Sequence, residues 1–162
     1  LNNMMGEEDL LPVEHVLSPG ERLTSMMSPS LVMSEGRPLL ATGSAGSNRL
    51  RGAILQPLLR VLESGGPNGS RSLQERLDAA VQAPRLHAEG GYVQVEPGFS
   101  PDVIAELQRR GHELNLWPAT NMFFGGSNMV AVDNDGSFAA AGDHRRGGGA
   151  FLALADGSVI AP

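Results

Sequence analysis

One stretch constrains this chain more than any other: Thr42-Gly43-Ser44-Ala45-Gly46-Ser47-Asn48-Arg49. The short apolar run Pro38-Leu39-Leu40-Ala41 leads into it, and an apolar-periodic segment from Leu50 to Leu62 leads out. The order is strand, small-residue loop, helix. The first turn of a helix carries backbone N–H groups without intrahelical partners, at the positive end of its dipole. Small residues before it let an anion approach the backbone, so such a place can hold a phosphate, a carboxylate or the oxyanion of a reacting carbonyl. The same residues also suit a turn that needs positive φ and a helix that needs a cap. Locally, both readings stand.

The totals narrow the setting. A chain of 162 residues suits one domain, taken here as 1–162, with a core of its own. The net charge is −6 and aromatic residues make up 4%, so no basic stripe and few stacking platforms exist for nucleic acid. With no cysteine, a disulfide and a thiolate metal site are both excluded. His15, His87, His112 and His144 lack a second histidine at zinc spacing, and nothing else in the pattern calls for a metal or cofactor. There is no P-loop, and Gly43-Ser44-Ala45-Gly46 has the wrong spacing for a nucleophile elbow. No apolar run approaches the length of a membrane span. The opening Leu1-Asn2-Asn3-Met4-Met5 reads as the interior of a longer polypeptide or a processed product. The compartment is therefore open, with cytoplasm and periplasm or secretion all compatible.

Along the chain, Gly6-Glu7-Glu8-Asp9 is an acidic cluster on an expected surface segment. Thr24-Ser25-Met26-Met27-Ser28-Pro29 sets two hydroxyls before a bend, which suits either local backbone capping or donation to a bound carboxylate. A strand at Ser30 to Met33 and another at Pro38 to Thr42 flank the turn Ser34-Glu35-Gly36-Arg37. The helix from Leu50 contains Pro57, where a kink is expected. Ser72-Leu73-Gln74-Glu75 is a capping box for a second helix, and Ser100-Pro101 opens a third that Gly111 ends. Tyr92 to Glu96 and Glu113 to Trp117 read as strands. Two hairpins follow, turning at Asp135-Gly136 and Asp156-Gly157 with expected type I′ geometry. Asp143 to Gly149 lies between them as a mobile or turn-forming stretch. The class is α+β, with central helices and C-terminal hairpins.

Five of these segments, in order, resemble the gamma-glutamyltranspeptidase family. Leu1-Asn2-Asn3 with Met5 and the following acids is similar to its Leu-Asn-Asn-x-Met-Asp-Asp segment. Leu23-Thr24-Ser25-Met26-Met27-Ser28-Pro29 resembles its Leu-Ser-Ser-Met-x-Pro, and Thr42 to Arg49 its Gly-Ser-Pro-Gly-Gly-Ser-Arg loop. Ala79 with Ala83-Pro84-Arg85-Leu86-His87 resembles its Ala-x-x-Ala-Pro-Arg-x-His, and Asp143-His144-Arg145 its Asp-Pro-Arg ending.

The resemblance implies part of an αββα N-terminal nucleophile hydrolase sandwich. It implies an enzyme that cleaves γ-glutamyl amides such as glutathione and passes the acyl group to water, an amino acid or a peptide. By position, Gly46 and Ser47 match the pair whose N–H groups form the oxyanion hole. Thr24 and Ser25 match the serines that bind the substrate α-carboxylate. Glu7 matches the aspartate that binds the α-amino group, with the register open to its acidic neighbours. The nucleophilic threonine matches nothing in these residues, so the chain alone is expected to be inactive and to need the large subunit of its precursor as partner. Unpaired sandwich surface would otherwise favour self-association of the fragment. Met4 stands where the family has Gln or Glu, Ser47 replaces a glycine, and Met27 is an insertion. These departures leave open a related amide acylase of the same superfamily, and a non-catalytic anion-binding module is the reading from another class.

Overall fold

A computed structural model describes residues 18–22, 25–64, 71–154 and 156–160. Strands β1 (Ser30–Ser34) and β2 (Arg37–Ala45) form a hairpin, followed by helices α1 (Leu50–Glu63) and α2 (Leu73–Gln82). Strand β3 (Leu86–Glu89), strand β4 (Tyr92–Val95), helix α3 (Pro101–Arg109) and strand β5 (Glu113–Leu116) come next. A 3₁₀ turn at Met122–Phe124 leads into β6 (Gly126–Val132) and β7 (Phe138–Gly142). A second 3₁₀ turn at His144–Arg146 precedes the short pair β8 (Leu152–Ala153) and β9 (Val159–Ile160). The described residues are α+β, as the sequence implies.

The main sheet has the order β1-β2-β6-β7, all antiparallel. Its inner face carries Leu40, Met129, Ala131, Ala139 and Ala141, which pack with Val61 of α1 and Leu77 and Val81 of α2. Small alanines on β7 let α2 lie close against the sheet. The capping box that starts α2 is present in full: the Ser72 hydroxyl accepts from the Glu75 N–H, and the Glu75 carboxylate accepts from the Ser72 N–H at 2.8 Å. Helix α1 runs through Pro57, which is buried on its inner side. On the opposite sheet face, strand alternation places Leu31, Leu39, Ala41, Val130 and Phe138 together. That face is open: Leu31 is 67% and Phe138 60% exposed.

A second sheet, β3-β4-β5, holds a parallel pair joined through α3. Its edge strand is fastened to α1 by one amide. Gln56 donates to the Leu86 carbonyl at 2.8 Å and accepts from the Leu86 N–H at 3.0 Å, as a neighbouring strand would.

Two local expectations change and a third is narrowed. The small-residue loop is shorter than its sequence implies, because β2 stays paired with β6 as far as Ala45 opposite Gly126. The Asp-Gly turns are not type I′. Only Gly136 and Gly157 have positive φ there; the Gly136 N–H bonds the Asp133 carbonyl and the Asp133 N–H bonds the Ser137 carbonyl. This is a three-residue loop with a left-handed third residue. The Asp135 carboxylate selects it by accepting from both the N–H and the hydroxyl of Ser137, at 2.8 and 2.6 Å. Type I′ geometry instead occurs at Glu35-Gly36, where both φ values are positive. Finally, Asp143 to Gly147 is a turn, with Asp143 and Arg145 buried.

Candidate active site

Strand β2 delivers the chain to Gly46, whose φ is +117°, a region that side chains with a Cβ rarely adopt. The Ser47 carbonyl then accepts from the Leu50 N–H at 3.1 Å, and α1 begins. Arg49 occupies the cap position but makes no capping bond. Its guanidinium lies 4.9 Å over the Phe123 ring and 3.8 Å from the Glu89 carboxylate. The dipole end of a 14-residue helix therefore opens directly onto Gly46 and Ser47.

The floor is backbone. A Cβ on Gly125 would stand 2.6 Å from the Ala53 Cβ, so α1 can approach this closely only because residue 125 is glycine. Ser44 ties the floor to β2, accepting from the Gly126 N–H at 3.2 Å and donating to the Ala45 carbonyl at 3.0 Å. Neither Gly125 nor Gly126 stands out in the sequence, because a Gly-Gly pair before a strand is an ordinary turn signal.

Of the residues singled out in the sequence, Gly46, Ser47 and Ser25 are described; Glu7 and Thr24 lie outside the described residues. Ser25 is exposed and its hydroxyl accepts from the Met27 N–H at 3.2 Å, the local backbone bond. Its neighbour Met26 meets the loop, with the Ser47 hydroxyl 3.8 Å from the Met26 sulfur. Met26, Ser28, Ser47 and Asn48 line one cleft. The hydroxyl-bearing segment and the small-residue loop, 21 residues apart at this contact, are thus brought together.

Beneath them lies a buried ionic cluster. Arg85 meets Asp143 at 2.6 Å, and Arg145 meets Asp143 at 3.1 Å and Glu96 at 2.6 Å. The Arg145–Glu96 contact is bidentate, through Nε and Nη2. Arg85 also donates to the Phe124 carbonyl at 3.1 Å, just before Gly125. Burial pulls the Asp143 carboxyl upward, but Arg85, the Ser127 and Arg145 N–H groups and the Arg145 charge outweigh it, leaving it below the usual carboxylate range. Arg145 is likewise opposed by burial and held above its ordinary value by Glu96 and Asp143. The sequence shows these residues only as members of two motifs; nothing local signals that the charges pair across the fold.

His87 is buried with its Nε2 lacking a hydrogen bond, 3.8 Å from the Glu89 carboxylate and edge-on to Phe123. Burial pushes its pKa down, aided by Arg51 and Arg49 and opposed by Glu89. Among the described residues, no group of three or more His, Asp or Glu stands together to hold a metal ion, and no helix is long and apolar enough to cross a membrane.

The chain is similar in sequence and in fold to known proteins. The acylase ACY 1 proenzyme of Pseudomonas sp. (strain V22) is 32% identical over 148 residues, covering 91% of this chain and 24% of that protein. The glutathione hydrolase proenzyme of Escherichia coli (strain K12) is 30% identical over 133 residues, covering 81% of this chain and 21% of that protein. The chain thus spans about a quarter of the length of the curated relatives it matches. Among solved structures, the Helicobacter pylori gamma-glutamyltranspeptidase T380A mutant superposes with a TM-score of 0.65 at 25% identity, over 80% of this chain and 66% of that one. The family model described as Gamma-glutamyltranspeptidase matches residues 1–153, and the chain belongs to that family.

Proposed function

We propose that this chain supplies the oxyanion hole and part of the substrate pocket of an amide-cleaving N-terminal nucleophile enzyme. In this reading Gly46 and Ser47 donate their N–H groups to the oxyanion, Thr24 and Ser25 bind the substrate carboxylate, and Glu7 binds its amino group. The substrate is a γ-glutamyl amide such as glutathione. The large subunit of the same precursor is the partner, and the nucleophile is a threonine outside these residues. The observation that carries the reading is Gly46 at φ +117°, between a strand end and an uncapped helix start, with the Ser25–Met26 segment seated against Ser47.

The chemistry follows from that arrangement. The threonine Oγ forms a bond to the acyl carbon while the C=O π pair moves onto oxygen. The hydroxyl proton passes to the threonine's own amine. Negative charge builds where the Gly46 and Ser47 N–H groups and the α1 dipole converge. Collapse returns the electron pair, and the leaving amine departs with the proton. Water or an acceptor amine then repeats the sequence on the acyl-enzyme.

The open apolar face of the main sheet, with Leu31, Val130 and Phe138 exposed, supports the fuller fold. Among the described residues, helices cover one face of this sheet, which would be half of an αββα sandwich, and a second sheet would close it.

The test is turnover of γ-glutamyl-p-nitroanilide by the self-processed full-length precursor. Release of p-nitroaniline, lost in Gly46→Val, is expected. A second reading, cleavage of another acyl amide, is favoured by the acylase relative at 32% identity. A processed enzyme that ignores the γ-glutamyl substrate but hydrolyses a different acyl anilide would select it. Absence of any turnover would remove both.

A further inference from the structure

Arg146 is the residue of the Asp143–Gly147 turn whose charge no described carboxylate matches. Beneath it the cluster is balanced, with the guanidiniums of Arg85 and Arg145 set against the carboxylates of Asp143 and Glu96. On the far side of the loop, Arg49 faces Glu89. Arg146 has no acidic partner among the described residues, and it is exposed.

Its place is nevertheless fixed. The side chain lies flat over Gly126: a Cβ there would stand 2.8 to 3.0 Å from the Arg146 Cβ, Cγ and Cδ. The guanidinium ends beside the candidate oxyanion loop, with Nη2 3.5 Å from where a Gly46 Cβ would be. The turn that presents it is anchored on both sides. Asp143 accepts from the N–H groups of Ser127 and Arg145, and Gly147 closes the turn onto the His144 carbonyl. Two glycines without side chains and an anchored turn thus hold beside Gly46 a cation that no described carboxylate matches.

We infer that Arg146 is a positioning charge for this site, stabilising the negative charge that builds on the substrate's carbonyl oxygen without contacting the substrate. The inference rests on the proposed amide cleavage. It adds a source of positive potential that neither the loop N–H groups nor the helix dipole provides. A fixed charge a few ångströms from a developing anion acts through the local dielectric and is screened by salt.

The experiment uses the self-processed full-length enzyme with Arg146→Gln and Arg146→Lys. Each is assayed on γ-glutamyl-p-nitroanilide, whose leaving group is neutral, and on glutathione, whose leaving group carries a carboxylate. Arg146→Gln should lower kcat about threefold to tenfold on both substrates with KM little changed, while Arg146→Lys retains most of the rate. Added NaCl should slow the parent enzyme towards the Arg146→Gln rate and leave that variant unaffected. A rise in KM confined to glutathione would replace this role with a leaving-group contact. Equal impairment or failed processing in both variants would make Arg146 structural, and unchanged kinetics would dismiss it. If Gly46→Val is inactive while Arg146→Gln is normal, only this inference falls; if the parent cleaves no acyl amide, the proposed function falls with it.

Discussion

Two turns meet at the candidate site, and opposite forces hold them. Gly46 to Arg49 is set by conformation: a left-handed glycine, a glycine floor and the start of a helix. Asp143 to Gly147 is set by charge: two carboxylates and two guanidiniums with almost no access to water. The first presents backbone groups freely, but at Gly46 itself has no side chain with which to resist distortion. The second resists distortion, but only while every member of the cluster keeps its partner. The pairing of the two lets an adaptable loop work on a stiff support.

That contrast can be broken most severely at Arg145. Arg145→Met would strand the buried Glu96 carboxylate and leave Asp143 with Arg85 as its only described cation, and urea unfolding should show a loss of about 3–5 kcal/mol. A cost near that of a surface substitution would mean that charge does not hold the turn. Gly46→Val attacks the other side. It should cost less stability, about 1–3 kcal/mol for the forced φ, while the proposed activity falls about 10²–10³-fold, as for loss of an oxyanion donor.

Acid separates the two turns more gently. His87, beneath the loop, has its folded pKa pushed below the unfolded value near 6.5, so the unfolded chain takes up the proton first. Its contribution is complete above about pH 6.5 and is lost as pH falls towards the folded value. Asp143, in the other turn, is also depressed, but from an unfolded value near 3.9. Its contribution is present above about pH 4 and is lost only as pH falls through the lower folded value. The melting temperature should therefore decline in two stages on acidification, and His87→Gln should abolish the first. The smallest effect serves as the baseline: Ser72→Ala, at the start of α2 and in neither turn, should cost about 1 kcal/mol and leave turnover unchanged.

Sequence reading reached the conformational turn much further than the charged one. The strand, the glycine and the helix start around Gly46 are local signals, and so are the capping box at Ser72 and the hairpin at Glu35-Gly36. The end of β2 was misplaced because its continuation to Ala45 depends on a partner, Gly126, that no local pattern announces. The Asp-Gly turns were misassigned because a serine two residues on competes for the carboxylate. The stretch after Asp143 looked mobile or turn-forming because arginines and glycines in a row are usually solvated. Its burial follows from Glu96 and Arg85, which are 49 and 58 positions away from Arg145 and Asp143. Ser25 shows the limit in the other direction: its local backbone bond is one of the two readings its sequence allows, while its Met26 neighbour's contact with Ser47 needs the fold.

The sheet order β1-β2-β6-β7 has a consequence in time. Everything from α1 to β5 is an excursion between two adjacent strands, and Ser44 and Gly126 touch across a separation of 82 residues. On a ribosome adding 5–20 residues per second, about 5–20 s pass between the appearance of Gly46 and that of Arg146. Until Gly125 and β6 emerge, about 4–16 s after Gly46 at that rate, β2 has an unclaimed edge and the loop has no floor. The site cannot close before β6 has emerged, and contacts of such long range make its closure a slow step in refolding.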